Sequence, residues 1–356
     1  MPCLGGIPLA IELAALRAAP RDNLHDVWEE WRRVGISLSE RRGSIPLTRL
    51  TSVGHSIELS LNSCRLNEES KRLFRVLGQL PSGISRKDRD KLKFGFDDVN
   101  ALLSVGLAYE RDGRLDLLPP VRDYARRHKE PIGEDARRWR EYYIDLACTK
   151  CDLLGSRSGA SAATRLRSEV PNIEAAVNAN IKDLGIRSAK DGIDALCRML
   201  IWAGIGTPRR LYKWTRNLAE AYAADRAYAE AGEFLLWLGE LSLSQENYAD
   251  AVGAYEEARN SFEKTEAAAK AIGRCTLGLG NVARARSDYH LARELYEQAC
   301  SKSSPEQSDQ ALCFERLGEL EISCSNHDTA AHHYQRALKI YQSIYDKNGE
   351  AIALQG

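Results

Sequence analysis

The chain has 356 residues, with 50 basic and 50 acidic side chains, so its formal net charge is zero. A balanced charge argues against a protein that coats nucleic acid or lies on a membrane surface, and no apolar run reaches the roughly 18–20 residues of a membrane span. The length allows two or three domains. The nine cysteines are odd in number and scattered, which suits free thiols in a cytoplasmic protein.

The first predicted element follows Leu4-Gly5-Gly6-Ile7-Pro8-Leu9, a glycine pair and then a proline at a helix start. The helix it enters is apolar nearly all round and is expected to be buried. Glu12 interrupts this stretch and no basic lead-in precedes it, so a secretory leader is not expected. Asn23 caps a helix to about Val34, with Leu24, Val27, Trp28 and Trp31 on its apolar face. Residues 44–52 read as a polar link. Ile57, Leu59 and Leu61 lead to Asn67-Glu68-Glu69-Ser70, a start signal for a helix carrying Leu73, Phe74, Val76 and Leu77, which Leu80-Pro81-Ser82-Gly83 ends. Residues 96–105 form the next helix, with Asp97 and Asp98 in its first turn where the dipole favours them. Two short strands over 107–110 and 114–117, joined through Arg111-Asp112-Gly113, make a hairpin, and a helix over about 120–127 comes next.

Helices followed by such a hairpin form a winged helix, a fold that often reads DNA. Residues 86–93 are basic but interleaved with acids, and the helix over 96–105 has no arginine or lysine. A DNA reader places basic or amide groups there, so nucleic acid is not the expected partner. Residues 131–228 form a helical connector. A helix over 135–154 carries Trp139, Tyr142, Tyr143 and Leu146, and a Gly/Ser-rich loop covers 155–160. Helices over 196–203 and 209–223 make a degenerate hairpin that caps the repeats beginning at residue 229. Cys148 and Cys151 share a helix without an adjoining strand, so neither redox nor zinc chemistry is expected of them.

From residue 229 onward one pattern is written three times. Leu238-Gly239, Leu279-Gly280 and Leu317-Gly318 are each followed by Ala, Tyr and Ala at twelve, sixteen and nineteen residues beyond the glycine: Ala251, Tyr255 and Ala258; Ala292, Tyr296 and Ala299; Ala330, Tyr334 and Ala337. A glycine inside a helix costs about 1 kcal/mol against alanine, which makes sense where another helix needs room. The Ala, Tyr and Ala positions share one face of a second helix. Each copy is therefore two antiparallel helices, with Gln245-Glu246-Asn247, Arg286-Ser287-Asp288 and Ser325-Asn326 as polar turns. Residues 351–356 open a fourth copy. The cluster Cys324, His327, His332 and His333 lacks zinc-finger spacing and reads as hairpin surface.

The spacing resembles the tetratricopeptide repeat (TPR), though each copy is longer than the usual 34 residues. The resemblance implies a groove that binds a peptide or protein. Helix geometry would line it with Glu233, Leu236, Glu240 and Leu243 from the first copy, Arg274, Leu277, Asn281 and Arg284 from the second, and Glu315, Glu319 and Ile322 from the third. The lysine–asparagine clamp that some TPR domains use for a terminal carboxylate is missing from these positions.

Residues 4–19 resemble the Gly-x-Pro-Leu motif of the STAND/NB-ARC nucleotide-switch proteins, and in that family a winged helix follows this motif as it does here. Glu169-Val170-Pro171-Asn172 resembles a helix entry found there between winged helix and repeats. The resemblance makes Pro8 an adenine-side contact. It places Leu117, Leu118 and Pro119 where the family has its Met-His-Asp sensor, so the phosphate-sensing histidine is replaced by leucine. No Gly-x-x-x-x-Gly-Lys-Ser/Thr loop occurs, so nothing cradles a phosphate. The chain is expected not to be an enzyme and to hold no cofactor; ADP or ATP would enter only through a nucleotide-binding domain upstream of Met1, acting in cis. The expected fold is mostly α: a helical segment (1–50), a winged helix (51–130), a connector (131–228) and a right-handed α-solenoid of TPR hairpins (229–356). The expected function is a sensor or scaffold for protein partners in a STAND-type regulator. The alternatives are a stand-alone TPR adaptor and a winged-helix transcription regulator.

Overall fold

The computed structural model describes residues 49–154, 156, 158–265, 268–302 and 308–356. Pro8 and the helices expected over 4–19 and 23–34 lie outside them. The described residues fold as two compact units: those up to Asp145 together with Ser168–Ala179, and Leu146–Arg167 together with Asn180–Gly356.

In the first unit, helix α1 (Arg49–Leu61) begins inside the stretch expected as a polar link. Its core-facing residues explain why: Ile57 and Leu61 are one turn apart and both buried, beside Leu59. Helix α2 (Glu68–Gln79) starts as expected, with the Asn67 side chain accepting the Ser70 N–H at 2.7 Å and Glu68 and Glu69 in the first turn. It buries Leu73, Phe74, Val76 and Leu77. A two-residue strand β1 (Ile84–Ser85) and a short helix α3 (Arg86–Lys91) precede α4 (Phe96–Ser104), where the Asp98 carboxylate accepts the Gly95 N–H at 2.8 Å. Strands β2 (Tyr109–Arg111) and β3 (Arg114–Asp116) form the expected hairpin. Asp112 and Gly113 both have positive φ, +51° and +73°, the conformation of a two-residue type I′ turn, which matches strand twist. The sheet order is β1-β3-β2, antiparallel throughout, with Leu115 opposite both Ile84 and Glu110. Helix α5 (Pro119–His128) opens on proline, whose missing N–H costs nothing at a helix start.

Helix α6 (Gly133–Cys151) starts two residues before the expected boundary and ends three before it. Helix α7 (Gly159–Leu184) runs through Pro171, where the sequence suggested a helix entry. A proline here forfeits one helical hydrogen bond, but buried bonds on either side of it fix the segment. Glu169, fully buried, holds Arg114 of β3 through two bonds of 2.6 and 3.0 Å. Asn172, also buried, donates to Glu169 and to the Gly83 carbonyl at 2.7 and 3.0 Å and accepts the Ser82 N–H. Arg114 donates further to the carbonyls of Ser82 and Gly83. Nearby, the Tyr142 hydroxyl donates to Asp88, whose carboxylate also takes the Ser85 hydroxyl.

The second unit is a helical solenoid. After a 3-10 turn (Ile186–Ala189) come α8 (Lys190–Ala203) and α9 (Pro208–Ala224). Three hairpins succeed them: α10 (Tyr228–Ser244) with α11 (Tyr248–Phe262), α12 (Ala268–Ala285) with α13 (Tyr289–Lys302), and α14 (Ser308–Ser323) with α15 (His327–Ser343). The fourth opening is a helix, α16 (Lys347–Gln355), which starts four residues before the expected 351. The three expected turns separate the helices of each pair. Every one centres on a left-handed residue, Glu246, Ser287 or Ser325, with φ of +57° to +63°. The residue after it bonds back to a carbonyl five positions earlier, as in Asn247 N–H to Ser242 at 2.9 Å. This closes the exposed carbonyls of the helix end. The same turn recurs at Arg226 before α10 and at Tyr345 before α16.

The repeated residues sit where the repeat needs them. Ala251, Tyr255, Ala258, Ala292, Tyr296, Ala299 and Ala337 are fully buried, and Ala330 and Tyr334 nearly so. A Cβ on Gly239 would stand 2.5 Å from the Tyr255 ring, one on Gly280 2.5 Å from Tyr296, and one on Gly318 2.9 Å from Tyr334. The glycine is the floor on which the tyrosine of the second helix lies.

Candidate functional site

The side chains expected to line a groove fall on α10, α12 and α14. Five of them are brought into direct contact across or along the repeats. Glu233 pairs with Arg274 at 2.8 Å, linking α10 to α12. Arg284 pairs with Glu319 at 3.1 Å, linking α12 to α14. Glu315 enters the same network through Arg316, at 3.6 Å. Glu240 and Asn281 each accept a hydroxyl from the tyrosine fifteen residues on, Tyr255 and Tyr296, both at 2.9 Å. In the third repeat the equivalent acceptor, Glu319, is taken instead by Arg316 and Arg284. Leu236 and Leu277 are buried and belong to the packing between helices. Leu243 is half-buried, Ile322 is exposed, and neither joins the polar network. Glu315 is almost fully buried and accepts the Tyr341 hydroxyl at 3.0 Å.

Burial acts against charge on this face. It pushes the Glu240 carboxyl above the ordinary range, opposed by the Tyr255 hydroxyl and by the Arg316 and Arg274 guanidinium groups. It raises Glu315 likewise, against Arg316 and the Tyr341 hydroxyl.

The described residues 311–348 match the SHNi-TPR family model, which spans the third hairpin from α14 through its exit turn. The glycine–tyrosine contact of that hairpin recurs in the other two. These are TPR-type repeats. No curated protein sequence matches the chain. Among solved structures, the chain is similar to BtubC (BKLC) from P. vanneervenii, with 18% identity, a TM-score of 0.30, and 58% of this chain and 92% of that one covered. It is also similar to a Signal Transduction ATPase with Numerous Domains (STAND) protein with a tetratricopeptide repeat sensor from Pyrococcus horikoshii. There the identity is 13% and the TM-score 0.25, over 91% of this chain and 61% of that one. A third likeness is to Pseudomonas aeruginosa pilF, at 14% identity and a TM-score of 0.25, over 61% of this chain and 97% of that one.

Sequence reasoning missed one position of the TPR-type hairpins, the residue two before each glycine. It is Trp237 in the first, Gly278 in the second and Arg316 in the third. Arg316 is the hub of the third repeat's charges. Trp237 donates its indole N–H to Asp194 at 3.0 Å and meets Trp202 edge to face, with ring centroids 6.5 Å apart. Gly278 gives the Tyr255 ring its second floor. The constant offset is the signal that could have found all three. Of the cysteine and histidine cluster in the last repeat, His333 stacks on Phe314, and burial lowers its pKa. No helix of the described residues is long and apolar enough to cross a membrane.

Proposed function

We propose that the TPR-type array binds an extended segment of a protein partner along the face made by α10, α12 and α14, as the sensor or scaffold part of a STAND/NB-ARC-type regulator. The observation that carries the reading is two charged groups on this face, Glu233–Arg274 between the first and second hairpins and Arg284–Glu319–Arg316 between the second and third. They are carried by three successive hairpins and are partly exposed, and on the same helices Glu240 and Asn281 hold the hydroxyls of the repeat tyrosines Tyr255 and Tyr296. Cross-repeat pairs of this kind add little to stability when exposed, whereas they hold side chains in place for a ligand.

In this reading residues 51–130 are a winged helix, 131–228 a connector and 229–356 the array. The order of α4, the I′ hairpin and α5 supports the winged helix, and the Gly-x-Pro-Leu resemblance supports the STAND setting. Leu118 and Pro119, at the sensor position, close the hairpin and open α5. With no phosphate-binding loop in its sequence, the chain acts by binding. Pro8 gains a nucleotide contact only beside an upstream nucleotide-binding domain.

Selection of peptides from a display library on the full chain tests the binding face. The affinity of selected peptides should change by about tenfold or more in Arg274→Glu and Arg284→Glu, falling for an acidic ligand and rising for a basic one. Peptides that bind both variants as well as the native chain place the site elsewhere and end this reading.

A further inference from the structure

This face carries more negative charge than it pairs. Glu233, Glu240, Glu315 and Glu319 face Arg274, Arg284 and Arg316. Among the described residues Glu240 is the one of these four carboxylates without an ion pair within 4 Å; it accepts the Tyr255 hydroxyl instead. One helical turn before it on α10 stands Trp237, which positions Trp202. Trp202 lies 58% exposed at the end of α8, a large aromatic surface that no packing requirement explains. Asp194, which orients Trp237, pairs with Arg198 at 2.9 Å, and Arg198 also pairs with Asp152 at 2.8 Å.

We propose that this end of the array recognises basic side chains of an extended peptide, with one lysine or arginine laid on the exposed Trp202 indole and another paired with the Glu240 carboxylate. The inference rests on the peptide-binding reading above and names the class of ligand it takes. Two independent features select the same charge. An indole face attracts a cation through its quadrupole, and a half-buried carboxylate held by a neutral hydroxyl gains most from an incoming guanidinium or ammonium. An acidic peptide would instead meet Glu240 and Glu233 directly and would have to displace Glu233 and Glu319 from their arginines. Burial pushes the Glu240 carboxyl up, and a bound cation would oppose that shift.

The probes are fluorescein-labelled oligoarginine, oligoglutamate and Gly-Ser peptides of equal length, titrated with the full chain by fluorescence anisotropy at fixed ionic strength. Oligoarginine should bind most tightly. Trp202→Ala should weaken it about threefold and Glu240→Gln about tenfold, while Glu256→Gln on the exposed face of α11 leaves it unchanged. Trp202 is exposed, so its variant keeps the fold, and circular dichroism checks the Glu240 variant. Preference for oligoglutamate or for the Gly-Ser peptide, or oligoarginine binding that neither variant moves, overturns the inference. If library-selected peptides depend on Arg274 and Arg284 but carry no basic residues, the cation preference fails and the binding face stands. If no peptide depends on this face, both fail.

Discussion

At the scale of single residues, the repeat is decided by what fits beside a tyrosine ring. Tyr255 lies between two glycines of successive first helices: a Cβ on Gly239 would come within 2.5 Å of its ring, and one on Gly278 within 2.4 Å. The ring is fully buried, so it has nowhere to move. Gly239→Ala gains about 1 kcal/mol of helix propensity but overpacks the crossing by about 1–3 kcal/mol. Overpacking wins, and urea denaturation should show a net loss of about 1–2 kcal/mol. Gly253, on α11, is the control, because a Cβ there meets nothing within 4 Å. Gly253→Ala should stabilise by up to about 1 kcal/mol in the same experiment. Equal effects at the two sites would mean that glycine serves the backbone of the repeat rather than the ring.

At the scale of elements, turns and buried polar bonds set where helices stop and how the sheet is held. Ser287 and Ser325 occupy the left-handed conformation without being glycine, which costs an ordinary residue about 1–2 kcal/mol. Glycine there relieves that cost and returns part of it as unfolded-state entropy. Each substitution should raise stability by about 0.5 kcal/mol, read as a shift in thermal midpoint. The fully buried Glu169 works in the opposite sense. Glu169→Ala leaves the Arg114 guanidinium without its partner and should cost about 3–5 kcal/mol. Replacing Arg114 as well should cost less than the two single changes added together, because the uncompensated charge is then gone. A double-mutant cycle in which the two effects simply add would show that the pair is incidental to the sheet.

These elements were unequally legible. Gly, Ala, Tyr and Ala had to be those residue types, at fixed offsets, for two helices to cross closely, so the hairpins and their turns could be read directly. The Asp112-Gly113 turn demanded positive φ at both positions and announced its hairpin. Strand β1 has two residues, too few to show alternation, and α7 continues past Pro171 because of partners on β3 and in the loop before β1 that no local signal reveals. On the candidate face, Glu233, Arg274, Arg284 and Glu319 were found by helix periodicity. Arg316 and Trp237 escaped because their shared offset holds three unlike residues, and a search for sameness passes over them. Leu236 and Leu277 share the periodicity of that face but are spent on packing, a distinction that only burial makes.

At the scale of the whole molecule, the two units carry buried carboxylates shifted in opposite directions, which gives a test that separates them. In the first unit, the Arg72 guanidinium, hydrogen-bonded at 2.7 Å, holds Asp135 below the usual carboxylate range. A depressed folded-state pKa adds stability above the unfolded value, and this is lost as pH falls through the folded one. Asp135→Asn should therefore destabilise at neutral pH, and the gap to the native chain should close below about pH 4. In the second unit, burial holds Glu240 above its usual range. The sign reverses: its contribution is fully present below the unfolded pKa of about 4.3 and is lost as pH rises toward the folded value. Glu240→Gln keeps a carbonyl for the Tyr255 hydroxyl and carries no charge, so it should stabilise at neutral pH, with the advantage fading on acidification. Chemical denaturation of both variants from neutral pH to pH 4 and below measures the two trends in one series. If Glu240→Gln instead destabilises at neutral pH and the gap closes on acidification, as for Asp135→Asn, the carboxylate is held by a partner as an anion in the free chain, and the face has no unmet charge to offer a basic ligand.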